Sequence, residues 1–425
     1  MPPRQSGRKG KGAAAAPPQD DRDHIGALPD DALRHVLSFL PAQEAVRTWV
    51  LARRWRHLWK ASTGLRIACS NGAEAASVKE LREFVYHLLL LRGDSPLDTC
   101  ELEFGDMDEE DVPRVNLWLR HVVMRNVRVL ELSSYIWVDG CQAWFQLDDV
   151  PLVSQHLTTL KFCGVRFRSS LLDFSSCPAL ENLEFDYCVF SEAKKISSES
   201  LKHMSITDST FDRGSRIRIC TPNLVSPDLC DFWHRTPLLE SMPLLVKAFV
   251  RLNWACGDEC PRAYCNDSNC ESCDISDNIG DRIGTNNCCV LLQGLSKAKV
   301  LALTSGPRKF ILKRDLKWCP TFSKLKTLLL NGYWCTPDDF RPLVCILEHA
   351  PVLEKLILQL SSEMPEHEVE IKGSVSPMEG SAAILKHLRI VEIKCEGVNE
   401  KILNVLIFLS AFNIRKPTCY TLLHF

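Results

Sequence analysis

The 425-residue sequence lacks long apolar runs and has no excess of either charge. Its stretch 402–412 is interrupted by Asn404 and Ser410, whereas a membrane-spanning helix needs about 20 apolar residues. With 51 Lys and Arg against 53 Asp and Glu, the net charge of −2 provides no bulk attraction to nucleic acid or to an anionic membrane. We therefore expect neither a membrane nor a nucleic acid among its partners.

Signatures of common enzyme classes are missing as well. The chain contains no H-E-x-x-H, no G-x-S-x-G, no P-loop and no strand-borne G-x-G-x-x-G, and its 12 His are scattered. We expect no catalytic residue and no cofactor. Residues 1–20, rich in Gly, Ala, Pro and basic side chains, hold no apolar core of a signal peptide and predict a disordered basic tail in a cytoplasmic or nuclear protein.

Residues 28–60 predict three short helices separated by sharp stops. Pro29 suits a first helical position, and Pro41 prevents the first helix from continuing. A module this small cannot bury its own apolar faces, so it needs a partner. The predicted faces are Leu33, Val36, Leu37 and Leu40 in helix one, Ala45, Val46, Trp49 and Val50 in helix two, and Leu51, Trp55, Leu58 and Trp59 in helix three.

The sequence of this module resembles the F-box, in the version common among plant F-box proteins with leucine-rich repeats. The resemblance rests on L-P-D at 28–30, L-S-F-L-P at 37–41, A-V-R-T at 45–48 and R-R-W-R-H-L-W at 53–59, with Trp49 where the family usually has Ser. In that family the F-box docks on a Skp-type adaptor, which ties it to a cullin and RING ubiquitin ligase. The resemblance implies that the adaptor interface or its immediate support consists of Leu28, Pro29, Leu33, Val36, Leu40, Trp55, Leu58 and Trp59.

Two other interpretations of the module remain. The apolar stripes could be the core of a larger helical domain, but three stop signals and the aromatic pattern agree with docking instead. The basic cluster at 53–60, with its interleaved Trp, could be a nucleic-acid patch, but the balanced charge of the chain favours a solvated helix face.

Beyond residue 90 a loose pattern L-x-x-L-x-L recurs at the spacing of leucine-rich repeats. The step from Leu160 to Leu183 is 23 residues and that from Leu301 to Leu328 is 27. The phrase Cys/Ala-Pro-x-Leu-Glu-x-Leu occurs at 177–183 and again at 350–356, which argues against an ordinary α/β domain. The central residues of the copies are Cys100, Leu130, Leu160, Leu183, Met204, Leu301, Leu328, Leu356 and Val391.

The fold class predicted from these patterns is α/β: a small three-helix F-box at 21–64 followed by an irregular leucine-rich-repeat solenoid at 65–375. An amphipathic helix at 78–89 is expected to cap the first repeat, because an open solenoid end must be covered. Residues 376–425, with a helix at 399–411, resemble the FBD module that closes many plant F-box repeat proteins. The segment 414–420 departs from that module, since it does not look like its terminal strand.

A segment at 255–290 interrupts the repeats with cysteine and acidic residues. Cys270 and Cys273 have the spacing of a zinc-binding pair, and Cys256 and Cys260 are tolerably spaced. A structural zinc site and a mobile acidic loop both remain open, and the loose spacing names no ligands.

Two functions from different classes follow. The leading hypothesis is a substrate-recognition subunit of an SCF-type ubiquitin ligase, in which the F-box docks on the Skp-type adaptor and the repeats hold a protein target. The alternative is a scaffold or ligand-sensing protein that uses the same repeats without degradation.

Overall fold

The computed structural model describes residues 25, 27–68, 78–105, 111–138, 141–148, 150–168, 170–252, 289–306, 310–335, 340–360, 387–395, 397, 400–410 and 417–421. Helices and strands both occur along this part of the chain, as in an α/β fold. The third helix of the N-terminal module is a 3₁₀ helix at Arg53–Ala61, and short 3₁₀ turns lie at Thr48–Val50, Ser170–Leu172 and Gly332–Trp334. The α-helices are α1 (Asp30–Leu37), α2 (Ala42–Arg47), α3 (Val78–Arg92), α4 (Val112–Val123), α5 (Leu292–Leu295), α6 (Phe310–Lys317), α7 (Arg341–Glu348) and α8 (Glu400–Ser410).

Most strands join one large parallel sheet. In chain order the strands are β1 (Gly64–Ala68), β2 (Thr99–Gly105), β3 (Val129–Val138), β4 (Cys141–Ala143), β5 (Phe145–Gln146), β6 (Thr159–Cys163), β7 (Val165–Arg166), β8 (Asn182–Asp186), β9 (Val189–Phe190), β10 (Lys195–Ser197), β11 (His203–Thr207), β12 (Thr210–Phe211), β13 (Arg218–Cys220), β14 (Ser226–Cys230), β15 (Leu238–Leu239), β16 (Lys247–Leu252), β17 (Val300–Ser305), β18 (Thr327–Asn331), β19 (Lys355–Leu360), β20 (Ile390–Cys395) and β21 (Pro417–Thr421).

The large sheet follows the order of the chain. Its parallel strands run β1-β2-β3-β6-β8-β11-β14-β16-β17-β18-β19-β20-β21, and only β4 lies off this path, antiparallel to β3. Each unit therefore pairs with the unit before it and the unit after it, which is the arrangement of a repeat solenoid. The predicted α/β fold class, a small helical module followed by a repeat region, is confirmed.

The register of the sheet stacks equivalent apolar side chains into rows. The central residue of each predicted repeat pairs with that of its neighbour, as Leu160 does with Leu183 and Leu328 with Leu356. Because side chains alternate across a strand, the residues of this row all face the interior. The row runs Leu65, Cys100, Leu130, Leu160, Leu183, Met204, Pro227, Ala248, Leu301, Leu328, Leu356 and Val391.

Three strands of this row were not predicted from the L-x-x-L-x-L pattern. Leu65 on β1 precedes the first predicted copy of the pattern, and the β14 and β16 copies carry Pro227 and Ala248 where the pattern expects a large apolar residue. Pro227 is buried and pairs with Met204. Proline is rare inside a sheet because it lacks the N–H donor, so sequence alone argues against a strand there.

Between successive strands of the large sheet, the chain returns through either strands or helices. From β6 to β14 the chain returns through strands, which form a four-stranded side sheet (β12-β9-β7-β5) and a three-stranded one (β10-β13-β15). Elsewhere it returns through α3, α4, α6, α7 and α8. Helical returns need more residues, so the step from Leu183 to Met204 is 21 residues, whereas that from Leu328 to Leu356 is 28.

Stacked phenylalanine rings fill the core where the returns are strands. Neighbouring ring centroids lie 5.0 to 6.0 Å apart, alternating stacked and edge-to-face contacts. Such pairs contribute about 0.5–1.5 kcal/mol each beyond their buried area. The rings belong to Phe162, Phe167, Phe185, Phe190, Phe211 and Phe232, all buried.

Both ends of the sheet differ from expectation. The 78–92 helix does not cap the first repeat: α3 connects β1 to β2, and the edge strand β1 lies against α2, with Pro41 bridged to Arg66. At the other end, 417–421 does form a strand, parallel to β20. Proline is tolerated as the first residue of an edge strand, and the Thr, Cys and Tyr that follow favour extended backbone.

In the large sheet, each of the strands β6, β8, β11 and β14 is followed by a residue with positive φ. At this residue the chain turns toward a side sheet. These residues are Gly164 (φ 69°), Tyr187 (48°), Asp208 (45°) and Asp231 (53°). Only the first must be glycine, because a Cβ there would overlap the carbonyl oxygen of Ser134.

We expect Gly164→Ala to lower the free energy of unfolding by at least about 3 kcal/mol, because backbone strain adds to a steric overlap with main chain. Gly93→Ala is the matched control. It has the same sign of φ, +56°, but nothing within 4 Å of the added Cβ, so a loss of about 1 kcal/mol is expected. Urea denaturation of the two variants measures the difference, and equal losses would contradict the close approach to Ser134.

Candidate functional site

The N-terminal helical module buries half of the eight residues that sequence analysis assigned to the adaptor interface or its immediate support. Leu33 is 0% exposed, and Trp55, Leu58 and Trp59 are also buried in the core that the module shares with the repeats. These four side chains cannot contact a partner directly. They support the surface by holding α1 against the 3₁₀ helix at Arg53–Ala61.

Three of the eight predicted residues lie on the surface. Leu28 is 37% exposed, Val36 is 48% exposed and Pro29 is also exposed, whereas Leu40 is half-buried against the core. The predicted stripe of α1 is therefore split between its interior face, Leu33 and Leu37, and its outer face.

Further exposed apolar side chains surround these three. Sequence analysis placed Trp49, Val50 and Leu51 on apolar helix faces that the module could not bury by itself, and the structure leaves them 50–68% exposed after α2 ends at Arg47. Phe39 was not assigned to the site and is 60% exposed. We call the exposed set the docking face: Ile25, Leu28, Pro29, Val36, Phe39, Trp49, Val50 and Leu51.

The docking face holds an unusually high concentration of exposed large hydrophobic residues. Seven of the 22 large hydrophobic residues that are exposed in the described part of the chain fall within 25–51. Contiguous exposed apolar surface on a soluble protein marks an interaction site. Sequence analysis recognised that the module has more apolar residues than it can bury, for example the consecutive W-V-L at 49–51, but it did not identify which of them stay exposed.

Arg54 holds the N-terminal edge of the docking face in place. Its Nε donates to Asp30 Oδ1 at 2.7 Å and its Nη2 donates to the carbonyl oxygen of Leu28 at 2.7 Å. The ion pair is about half exposed, so its energy is modest. Its consequence is geometric: it fixes the segment 28–30 against the 3₁₀ helix.

A buried arginine joins the module to the repeats. Arg92, the last residue of α3, donates to the carbonyl oxygens of Trp59 at 3.0 Å and Ser62 at 2.5 Å. Both carbonyls lie at the end of the 3₁₀ helix, where backbone acceptors run short of donors, and that of Trp59 also accepts from the N–H of Ser62 at 3.3 Å. Burial lowers the pKa of Arg92 to about 10, which leaves it charged at neutral pH.

A second contact fixes the same junction from the sheet side. Arg66 on β1 pairs with Glu101 on β2 at 2.5 Å, and this hydrogen bond raises the pKa of Arg66. Because Arg66 also bridges to Pro41, at the start of α2, the module lies directly against the first strand. The two parts of the chain share one core and one hydrogen-bonded junction.

The repeats offer a second candidate surface on the solvent side of the large sheet. One row of side chains runs along it, charged in its first half and apolar in its second. Lys161 pairs with Glu184 at 3.0 Å, and that bond, with the charges of Glu131 and Glu101, raises the pKa of Lys161. The apolar part, which we call the sheet patch, consists of the half-buried Phe249, Ala302, Leu329 and Ile357.

An open groove lies at the edge of the sheet where the strands begin. Its volume is about 470 Å³, and Phe174, Pro178 and Leu244 form its apolar wall. Lys202, paired with Glu181 at 2.5 Å, lines it as well. The groove adds to the surface available for contact.

Several expectations fall outside the described residues. The zinc or acidic-loop alternatives for 255–290 concern residues that are not described, apart from Cys289 and Val290. In the described ranges no helix is both long and apolar enough to cross a membrane.

Comparison with known proteins identifies the helical module. Residues 25–64 match the family model of the F-box domain. The chain is 26% identical to the F-box/LRR-repeat protein At4g14096 of Arabidopsis thaliana over 80% of this chain and 73% of that protein. It is also 26% identical to the Arabidopsis F-box/FBD/LRR-repeat protein At5g22660, over 83% of this chain and 80% of the relative.

We expect Arg92→Met to destabilise the junction by about 2–4 kcal/mol, because the carbonyl oxygen of Ser62 loses its charged donor and that of Trp59 keeps only the N–H of Ser62. Hydrogen exchange followed by mass spectrometry should show faster exchange at 53–62. The control is Arg120→Met on α4, whose side chain is 54% exposed and 3.8 Å from Asp148. If both variants exchanged alike at 53–62, the junction would not depend on Arg92.

Proposed function

We propose that this F-box protein with leucine-rich repeats is the substrate-recognition subunit of an SCF-type ubiquitin ligase. The observation that carries the proposal is the docking face: a matched F-box domain that exposes a concentrated apolar surface while its core is joined to the repeats. One end of the chain would bind the Skp-type adaptor, and the repeats would bind a protein target.

The docking face has the chemistry of a protein interface. Interfaces are built around exposed apolar and aromatic anchors, and those of the face include Trp49 and Phe39. Arg53 and Arg56, exposed on the 3₁₀ helix, would supply its polar rim. The adaptor would connect this surface to a cullin and RING subunit, as the resemblance to the F-box family implies.

The target would be held by the solvent side of the sheet. The parallel sheet presents one side chain per repeat on its solvent side, so this row of side chains can contact an extended stretch of a partner. The sheet patch suits an apolar segment, and the exposed Lys247 beside it suits an acidic neighbour, whereas Lys355 is already paired with Glu392 at 2.7 Å. A target that combines apolar and acidic residues is therefore favoured.

The mechanism is one of proximity and requires no catalytic group in this chain. A target bound to the repeats is held near the ubiquitin-charged enzyme carried by the complex, which converts transfer into a nearly intramolecular step. The rigidity of the junction at Arg92 bears on this mechanism, because a fixed geometry raises the effective concentration of target lysines. The complex would act in the cytoplasm or the nucleus.

We expect Val36→Glu to weaken binding to a purified Skp-type adaptor at least 30-fold. The side chain is 48% exposed on the docking face, so a charge there would be desolvated in the complex without harming the fold. Leu28→Ala combined with Pro29→Ala should abolish binding in the same titration. Calorimetry with the full chain measures both.

The matched control for adaptor binding is Leu117→Glu. Leu117 is 60% exposed on α4, away from the module, so this variant should bind the adaptor as the parent does. Unchanged binding of Val36→Glu, with normal thermal unfolding, would show that the docking face is not the adaptor surface.

We expect Leu329→Asp with Ile357→Asp to release the target and leave adaptor binding intact, because both side chains lie on the solvent side of the sheet. Proximity labelling with and without a proteasome inhibitor measures target and fate together. A labelled protein that accumulates under inhibition, and is lost from the double variant, supports the proposal. A labelled partner whose level never changes would instead favour the scaffold alternative, and Leu117→Asp with Met124→Asp is the control.

A further inference from the structure

Three side chains with soft donor atoms meet where two neighbouring repeats join. Cys319 follows α6, Cys345 lies on α7 and His349 ends that helix. One donor atom from each lies within 4.8 Å of the other two. All three are partly buried, so an ion could reach them and still be shielded from bulk water.

The local backbone explains why the donors converge. Cys345 and His349 are four residues apart, which places them on one face of the helix. The N–H of Phe322 donates to the carbonyl oxygen of His349 at 2.8 Å, and this bond closes the segment after Cys319 against the end of α7. Backbone carbonyl oxygens hold both thiols: the Sγ of Cys319 donates to Pro320 at 3.8 Å and the Sγ of Cys345 donates to Leu316 at 3.7 Å.

The imidazole of His349 is oriented as a metal ligand is. Its Nδ1 lies 2.8 Å from the carbonyl oxygen of Cys345. A carbonyl oxygen can only accept, so Nδ1 carries the hydrogen and Nε2 keeps its lone pair. Histidines that bind metals commonly donate their second ring nitrogen to a backbone carbonyl in this way.

The spacing needs little adjustment to hold zinc. Zinc lies about 2.3 Å from thiolate sulfur and about 2.0–2.1 Å from imidazole nitrogen, so tetrahedral donors are about 3.5–3.8 Å apart. Donors within 4.8 Å of one another reach that geometry by side-chain movements of about 1 Å.

A further buried thiol, Cys289, lies near the segment that leads into Cys319 but does not belong to the set of three. The Sγ of Cys289 is 2.9 Å from the carbonyl oxygen of Trp318, the residue before Cys319. Its position is fixed by the buried carboxylate of Asp315, which accepts from the N–H groups of Val290, Leu291 and Leu292 at 2.7–2.9 Å.

We propose that Cys319, Cys345 and His349 form a three-ligand zinc site whose fourth position is open to water. The ion would tie the segment entering β18 to the helix entering β19, and so would fix two repeats relative to each other. This site is distinct from the zinc alternative for the 255–290 segment and is independent of the docking proposal.

Cobalt titration of the full-length reduced protein tests the site, since thiolate-bound Co²⁺ gives a strong charge-transfer absorbance. Cys345→Ser and Cys319→Ser should each bind one equivalent fewer than the parent, and His349→Asn should weaken that equivalent at least tenfold. Cys220→Ser is the control, because Cys220 is similarly exposed on β13 and lies apart from the set. Equal numbers of equivalents in the parent and Cys345→Ser would overturn the proposal.

Alkylation of the unmutated protein provides a measurement that does not depend on a variant's folding. With one added equivalent of Zn²⁺, Cys319 and Cys345 should react at least tenfold more slowly with N-ethylmaleimide, and a chelator should reverse this, while Cys220 reacts at the same rate throughout. Protection confined to cysteines within 256–288, or a disulfide between Cys319 and Cys345 in place of metal, would show that the site does not bind zinc.

Discussion

The structure depends on stacking equivalent apolar side chains along one parallel sheet. Each strand buries its interior pair only because the next strand places the same pair beside it, as Leu330 and Leu358 do. No single repeat can bury enough apolar surface to fold alone, so stability accumulates through neighbours. The ends of such a ladder are its weak points, because each terminal strand has a neighbour on one side only.

The N-terminal module covers the terminal strand β1 at one end of the sheet. It lies against β1, shares its core with the first repeats and receives the two hydrogen bonds of Arg92. The module in turn buries its inner helix faces on the repeats, and what it cannot bury becomes the docking face. One junction thus serves stability and function, since the end of the ladder that needs covering is the end that presents a partner surface.

The repeat pattern was well predicted where it used large apolar residues and poorly where it did not. The strands at Leu160 and Leu328 follow from local spacing, but the strand carrying Pro227 follows only from having paired strands on both sides. The side sheets were unpredictable for a similar reason. Two-residue strands such as β7 carry almost no local signal and exist because the strand beside each has the same turn.

Amphipathic spacing was enough to predict the short helices and the class of fold, because both depend on which residue types recur along the chain, and the F-box followed from the resemblance of its motifs to that family. It could not tell the buried residues of the module from the exposed ones. Val36 and Leu37 are neighbours of similar chemistry, yet one is 48% exposed and the other 1%. Which side of a short helix faces solvent depends on what packs against it, here β1 and the 3₁₀ helix. The meeting of Cys319, Cys345 and His349 has the same origin, since only the packing of one repeat on the next brings the loop after α6 to the end of α7.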